Sequence, residues 1–380
     1  MRVLLTSPRA PVTLDLARRF NAQSADVYLC DSLRYGCGAL SRNHRRMFNV
    51  PRPRQSVREY LVALQTIVKV EKIDLLVPTC EEIFYISKFR DQIGCEVFAD
   101  SFDKLGAIHN KWSFAKEAGN VAASVPESHE ITSHEQLLSF QDRSREYVFK
   151  PVYSRFASEV LIAPEPNQLV NLSVSNNKRW IAQRFVSGTE FSTYSIARNG
   201  KMLAHASYTS IYRAGHGSGI YFRAETHPRI DEFVRTFISE YGFTGQIGFD
   251  CIVDETNVPW IIEGNPRATS GLHMLEFDAP LLNAILGNTD QLIEANTSRP
   301  RMIAAAMPLW GLAYAFKQQL LRQYVGDFWR GRDVLFQWKD PMPAIGLPLT
   351  LAELLLIAVR ERKTMQQAST QDIEWNGEPL

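Results

Sequence analysis

Two rhythms of apolar and polar residues run along the chain. From residue 1 to about 100, short apolar runs such as Val27-Tyr28-Leu29 and Ile73-Asp74-Leu75-Leu76-Val77 punctuate longer amphipathic stretches. This pattern predicts strands over 2–6, 26–31 and 73–78 and helices over 13–21 and 56–71. Strands that are apolar on both faces suit a parallel sheet covered by helices on either side, so the expected fold is a doubly wound α/β domain with ligands at the carboxyl ends of its strands. The Thr6-Ser7-Pro8-Arg9 turn lacks the G-x-G-x-x-G pattern of a dinucleotide site. The last of these strands runs into Pro78-Thr79-Cys80-Glu81-Glu82. There Glu81 or Glu82, helped by Thr79, takes a substrate ammonium, or the two acids simply open a helix, a reading that weighs slightly more. Cys80 is read as a packing residue.

The second rhythm appears at Gly245-Gln246-Ile247-Gly248-Phe249-Asp250-Cys251-Ile252-Val253 and Pro259-Trp260-Ile261-Ile262-Glu263-Gly264-Asn265-Pro266-Arg267, which flank a polar Asp254-Glu255-Thr256-Asn257. This is a hairpin pattern. With Thr256 and Asn257 as its central residues, Asp250 falls opposite Glu263, at a side-chain separation of about 5 Å where like charges destabilise a sheet. A divalent cation would remove that penalty. Asn265 lies on the same face as Glu263 and adds a neutral oxygen. Mg²⁺, which takes few protein oxygens and completes its shell with water and phosphate oxygens, suits such a set. An ordinary hairpin with a solvated acidic face is the alternative, and on the hairpin alone the two weigh about evenly.

Glu263-Gly264-Asn265-Pro266-Arg267 behind a strand carrying Asp250 resembles the metal-binding end of the ATP-grasp superfamily. The likeness continues, in family order, through His109-Asn110-Lys111, Tyr147-Val148-Phe149-Lys150-Pro151 and the segment from Trp180 to Ser192. The resemblance implies that Lys111 and Lys150 reach the phosphates of ATP. It implies that the peptides around Phe185 and Val186, beyond Gln183, pair with adenine and that Glu190 holds the ribose hydroxyls. Asp250, Glu263 and Asn265 would hold Mg²⁺ or Mn²⁺, and Arg267 would meet the phosphates or an acyl-phosphate intermediate. The loop after Lys150, residues 152–159, has no glycine where the family usually has several. Its small residues and Arg155 would have to supply the contacts that glycine amides usually make.

Two further features point to substrate. Residues 213–223 form a glycine-rich loop whose arginines, Arg223 among them, suit a carboxylate or developing phosphate charge, or else mark a plain hairpin tip. Ser270 and Gly271, in Ala268-Thr269-Ser270-Gly271-Leu272-His273, suit an anion nest. His273 is a candidate base, although a lone histidine is more often structural.

Composition narrows the class. A chain of 380 residues with 45% hydrophobic content exceeds one core of typical size. The expected division is a pre-ATP-grasp α/β domain over 1–105, a small ATP-grasp subdomain over 106–182, a large α+β subdomain with the metal site over 183–289, and a mostly helical extension over 290–380. A net charge of +1 supplies no basic field, which excludes nucleic acid as the expected partner. Five unpaired-looking cysteines and a short apolar start, Val3-Leu4-Leu5, favour a reduced cytoplasmic setting without a signal peptide. Beyond residue 290 the chain turns aromatic and basic. Its most apolar stretch, 344–359, is shorter than the roughly 20 residues of a membrane span and contains Pro348 and Glu353. A helical cap over the active site is the preferred reading there, ahead of a face for a lipid surface or carrier protein.

The function implied is an ADP-forming ligase of the carbamoyl-phosphate-synthase-like or L-amino-acid-ligase-like kind, joining a small-molecule carboxylate to an amine by way of an acyl phosphate. A carrier protein or a homodimer is the admitted macromolecular partner. The absent loop glycines leave a non-catalytic nucleotide sensor or scaffold as the alternative, and a bicarbonate-using carboxylase ranks third because the chain contains no biotin-attachment segment.

Overall fold

The computed structural model describes residues 1–121, 124–154, 159–176, 178–214, 218–295 and 299–380. The N-terminal strands Arg2–Thr6, Asp26–Asp31 and Leu75–Val77 lie parallel at the centre of a five-stranded sheet whose edges are Arg46–Asn49 and Glu96–Val97. Side chains alternate across this sheet. Val3, Leu5, Val27 and Leu29 pack on Leu16 and Phe20 of helix Pro11–Ala22, whereas Leu4, Tyr28 and Leu76 pack on Tyr60, Leu64 and Val68 of helix Val57–Glu71. The domain is therefore doubly wound. The pattern of apolar runs misses both edge strands, which are short and mostly exposed or half-buried.

Two further sheets follow, the first antiparallel and the second mainly so, with parallel pairs at Ile293–Glu294 and Arg332–Asp333. The smaller has the order Ser128–Ile131, Trp180–Arg184, Tyr147–Pro151, Leu161–Ile162 and closes over Ile131, Leu137, Phe149 and Trp180. The larger, eight-stranded sheet has the hairpin strands Pro259–Asn265 and Gly245–Val253 at one edge, next to Thr189–Arg198 and Lys201–Ser210. Residues beyond 290 give it the short strands Arg301–Met302 and Arg332–Asp333, so the extension is built into the sheet as well as forming helices.

The hairpin reaches its register by an unexpected route. Asn257, at φ 61°, closes a loop in which Asp254 N donates to Val258 O at 3.0 Å. The turn is thus centred on Thr256, and near it Val253 faces Pro259 and Cys251 faces Ile261. Ile262 is then an extra residue, a β-bulge that shifts the pairing by one and sets Asp250 opposite Glu263. The predicted pairing holds and the predicted turn centre does not.

The chain ends by returning to the first domain. Arg18 is buried against Asp340 at 2.9 Å and donates to Val334 O and Leu335 O. Arg9 bridges Asp31 and Asp372, and the Trp375 ring packs among Phe84, Phe102, His109 and Tyr153. Trp375→Ala should lower stability by about 3–5 kcal/mol, the usual cost of emptying a buried aromatic site, with Trp375→Phe much milder. An unchanged thermal midpoint for Trp375→Ala would show that the tail is not docked.

Candidate active site

The hairpin face is built from below by a close backbone contact. A Cβ on Gly264 would lie 2.6 Å from Ile108 and 2.9 Å from Phe114, so a glycine there lets the strand rest directly on the helical layer. Its neighbours Glu263 and Asn265 consequently project to the opposite face, beside Asp250. Asn265 Nδ2 donates to Asp250 Oδ2 at 3.0 Å. Ser192, from the neighbouring strand, donates to Asp250 Oδ1 at 2.6 Å. Nothing in the sequence marks Ser192, because its place follows only from the pairing of Ser192 with Asp250 across two strands far apart in the chain.

Two lysines face this pair. Lys111 is the first residue of helix Lys111–Asn120, whose cap Asn110 accepts from Trp112 N and Ser113 N. Its buried Nζ lies 3.4 Å from Glu263 Oε2 and donates to Ser154 O at 3.0 Å. Lys150, at the end of strand Tyr147–Pro151, is buried and donates to Gln183 Oε1 at 2.9 Å. Burial, with some help from Lys111, pulls the Lys150 ammonium down to about 8 against the opposing pull of Glu263. Burial, and then the charge on Glu263, pushes the Asp250 carboxyl up to about 7. Burial acts on Glu263 in the same sense, but Lys111 and Lys150 outweigh it and hold this carboxylate ionised below its ordinary range.

The donor set fits a hard divalent cation: two carboxylates and one amide, of which Asp250 is pushed toward its protonated form by burial and then by the like charge of Glu263, a cost that a cation would offset. Among the described residues no group of three or more His, Cys, Asp or Glu side chains is placed to hold a metal. A site with two carboxylates therefore leaves most of the coordination shell to water and ligand oxygens.

Arg267 joins this cluster to the first domain. Its Nη2 donates to Asn265 Oδ1 at 3.1 Å, and its Nε lies 3.6 Å from Glu81 Oε1 at the carboxyl edge of the parallel sheet. His109 Nε2 stands 3.5 Å from the other Glu81 oxygen, and burial, then Lys111 and Arg267, drives its basicity down to about 3, so the ring is neutral. Glu82 has a different task. It accepts from Thr6 Oγ1 and from the amides of Thr79 and Cys80, which ties it into the turn ahead of helix Ile83–Lys88.

The remaining predicted residues scatter. Phe185 and Val186 line a cleft of about 500 Å³ with Arg184, Ser187, Asp254 and Trp260, and Phe185 N is already committed to Glu146 O at 2.8 Å. Glu190 is exposed and paired with Arg213. Arg223 is not brought to the cluster: it pairs with Thr209, which flanks Phe191 and Cys251, on the sheet face opposite Asp250, and binds Glu225 at 2.9 Å. His273 is buried with Nδ1 2.8 Å from Asp15, which also holds Arg19, so its ring joins two domains. Ser270 and Gly271 open the turn Ser270–Met274, and Gly271 packs on Tyr194 and Tyr208. Residues 155–158 of the glycine-free loop and 215–217 of the glycine-rich loop lie outside the described residues.

Residues 108–271 match the family described as ATP-grasp domain. An uncharacterized protein of Methanocaldococcus jannaschii is 24% identical over 177 residues, and the chain spans only 45% of that relative's length. The fold resembles that of N5-carboxyaminoimidazole synthetase from Staphylococcus aureus over 83% of this chain and 86% of that one, with a TM-score of 0.62 and 10% identity. L-amino acid ligase from Bacillus licheniformis gives 0.60 and 14% identity over 79% and 78%. The biotin carboxylase domain of Hydrogenobacter thermophilus 2-oxoglutarate carboxylase, crystallised with MgADP and bicarbonate, gives 0.62 and 11% identity over 79% and 73%.

Gly264→Ala tests the construction of the site. Its Cβ would push the hairpin away from Ile108 and Phe114 and carry Glu263 and Asn265 with it. We expect a loss of Mg²⁺-dependent nucleotide binding together with about 1–3 kcal/mol of stability. Wild-type binding in this variant, measured by calorimetry, would show that the close approach does not position the two side chains.

Proposed function

We propose, from the premise that this chain belongs to the ATP-grasp superfamily, that it is an ADP-forming ligase which activates a carboxylate as an acyl phosphate and passes the acyl group to an amine. The observation that carries this reading is the meeting of Lys111, Lys150, Asp250, Glu263, Asn265 and Arg267 in one partly buried cluster linked to Glu81. An array of balanced, desolvated charges set in advance of the reaction is what phosphoryl transfer needs, since its catalysis is mostly positioning and electrostatics. The presence of every charged member of the set gives no support to the alternative of a non-catalytic sensor.

In this reading ATP enters the cleft beside Phe185 and Val186. With the Phe185 amide engaged, the base contact falls to Val186, and Glu190 exchanges Arg213 for the ribose. Asp250, Glu263 and Asn265 would hold Mg²⁺, or Mn²⁺, which neutralises phosphate charge when bound. Lys111 and Lys150 steady the phosphates, and the approaching anion raises the Lys150 pKa again, keeping it charged. The substrate carboxylate attacks the γ-phosphorus and ADP leaves. Arg267, with its planar fork between Asn265 and Glu81, stabilises the charge that grows on the phosphoryl and carboxylate oxygens. Glu81 takes the ammonium of the second substrate at the sheet edge. After that amine loses a proton and attacks the acyl carbon, phosphate departs with the oxygen that bridged it to carbon.

Arg267→Lys keeps the charge and loses the fork, so kcat should fall about a hundredfold with little change in ATP affinity, the signature of a group that acts in the transition state. Comparable losses of affinity and rate would place Arg267 in ground-state binding instead. With ¹⁸O in both carboxylate oxygens of the acid, one label should appear in inorganic phosphate. Label in AMP, with pyrophosphate released, would reject the proposal in favour of adenylation.

A further inference from the structure

Helix Leu347–Glu361 is packed with its polar side inward. Thr350 Oγ1 donates to Tyr35 O, Glu353 accepts from Arg34 N at 2.9 Å and Tyr35 N at 2.8 Å, and Glu361 pairs with Arg52 at 2.6 Å. Its outward side carries Leu349, Leu351, Leu355, Leu356 and Val359, the last two 71% and 70% exposed. Half a turn about its axis would bury the leucines and wet the acids. The hydrogen bonds to Arg34 and Tyr35 hold it the other way. The preceding helices repeat the arrangement. In Leu321–Arg330, Leu321, Val325 and Trp329 form an exposed ridge at i, i+4 and i+8 while Tyr324 and Asp327 face inward. Trp329 is 81% exposed and Trp338 90%. Single exposed apolar residues are ordinary, but successive apolar ridges mark a docking face.

Charge selects the occupant. Residues 307–363 contain eight Lys and Arg and five Asp and Glu. Every acid has a partner in the body of the protein: Asp327 takes the Tyr212 hydroxyl, Asp333 takes the amides of Ala304 and Phe336, Asp340 holds Arg18, and Glu353 and Glu361 are bound as described. All eight cations are exposed, Arg360, Arg362 and Lys363 at the helix end among them, and none forms an ion pair among the described residues. A second copy docked about a two-fold axis would set cations against cations with no acid to receive them. An anionic lipid surface satisfies both features, since acyl chains take the leucines, tryptophans sit at headgroup level and phosphates take the cations. We propose that the outward side of helix Leu347–Glu361, with Arg360, Arg362 and Lys363 at its end, seats the protein on a membrane surface rich in anionic phospholipid. The attachment is peripheral, since no helix among the described residues is long and apolar enough to cross a bilayer.

The test is flotation of the full chain with vesicles of phosphatidylcholine alone and of phosphatidylcholine with about 30% phosphatidylglycerol, a range in which basic segments discriminate. The expected result is flotation with the anionic vesicles only, weakened by salt. Leu355→Glu with Leu356→Glu should reduce it about tenfold or more while ATP turnover and the thermal midpoint stay unchanged. If that variant does not fold, Arg360→Glu, Arg362→Glu and Lys363→Glu together, all on exposed side chains, should abolish the lipid preference. Wild-type protein that floats with neither vesicle, or equally with both, overturns the proposal. So does a dimer, seen by light scattering, that fails to float and is split by the leucine substitutions, which would make a second copy the occupant.

Discussion

Two carboxylates facing each other across one rung of a hairpin are the constraint around which this molecule is arranged. Asp250 and Glu263 sit at cross-strand separation on a largely buried face, where like charges cost most. The fold offsets that cost without removing it. Lys111 and Lys150 are buried against Glu263, while Ser192 and Asn265 donate to Asp250. What remains is an Asp250 carboxyl pushed up by burial and by its charged neighbour, a cost that a divalent cation would relieve.

The same cluster explains why separate domains have to meet. Arg267 reaches from Asn265 to Glu81, the His273 ring rests on Asp15 of the first helix, and Arg18 and Arg9 take Asp340 and Asp372 from the end of the chain. Buried ion pairs of this kind contribute little net stability, since desolvation consumes most of their attraction, but a missing partner is costly. They act to fix one relative placement of the domains. In the proposed reaction that placement brings the carboxyl ends of the parallel strands, where the amine would bind, up to the phosphate-binding lysines.

Much of this was legible in the sequence because it is local. Continuous apolar runs gave the central parallel strands, and the distance from Asp250 through a polar turn to Glu263 gave the facing pair. That pairing was reached with the turn centred between Thr256 and Asn257 instead of on Thr256, because no pattern of apolar positions reveals the bulge at Ile262 that restores the register. Ser192, the neutral His109 and the Arg267–Glu81 link depend on strands and helices distant in the chain, which residue spacing does not encode. Arg223 shows the converse failure. An arginine beside a glycine-rich loop looks catalytic, yet strand alternation puts it on the other face of the sheet. Helix Leu347–Glu361 misleads for a related reason: its apolar content suggests a packed cap, but which side faces inward is decided by the backbone amides of Arg34 and Tyr35.

Burial, and then the charge of Glu263 beside it, push Asp250 toward its protonated form, so a cation that binds there should displace a proton. Calorimetric titration of Mg²⁺ and ADP in buffers of different ionisation enthalpy measures this directly. With Asp250 pushed up to about 7, binding below neutral pH should release roughly one proton more in the wild type than in Asp250→Asn, and wild-type affinity should rise as pH approaches neutrality. Equal proton release from the two proteins, with an affinity indifferent to pH over that range, would show that Asp250 gives up no proton to the cation.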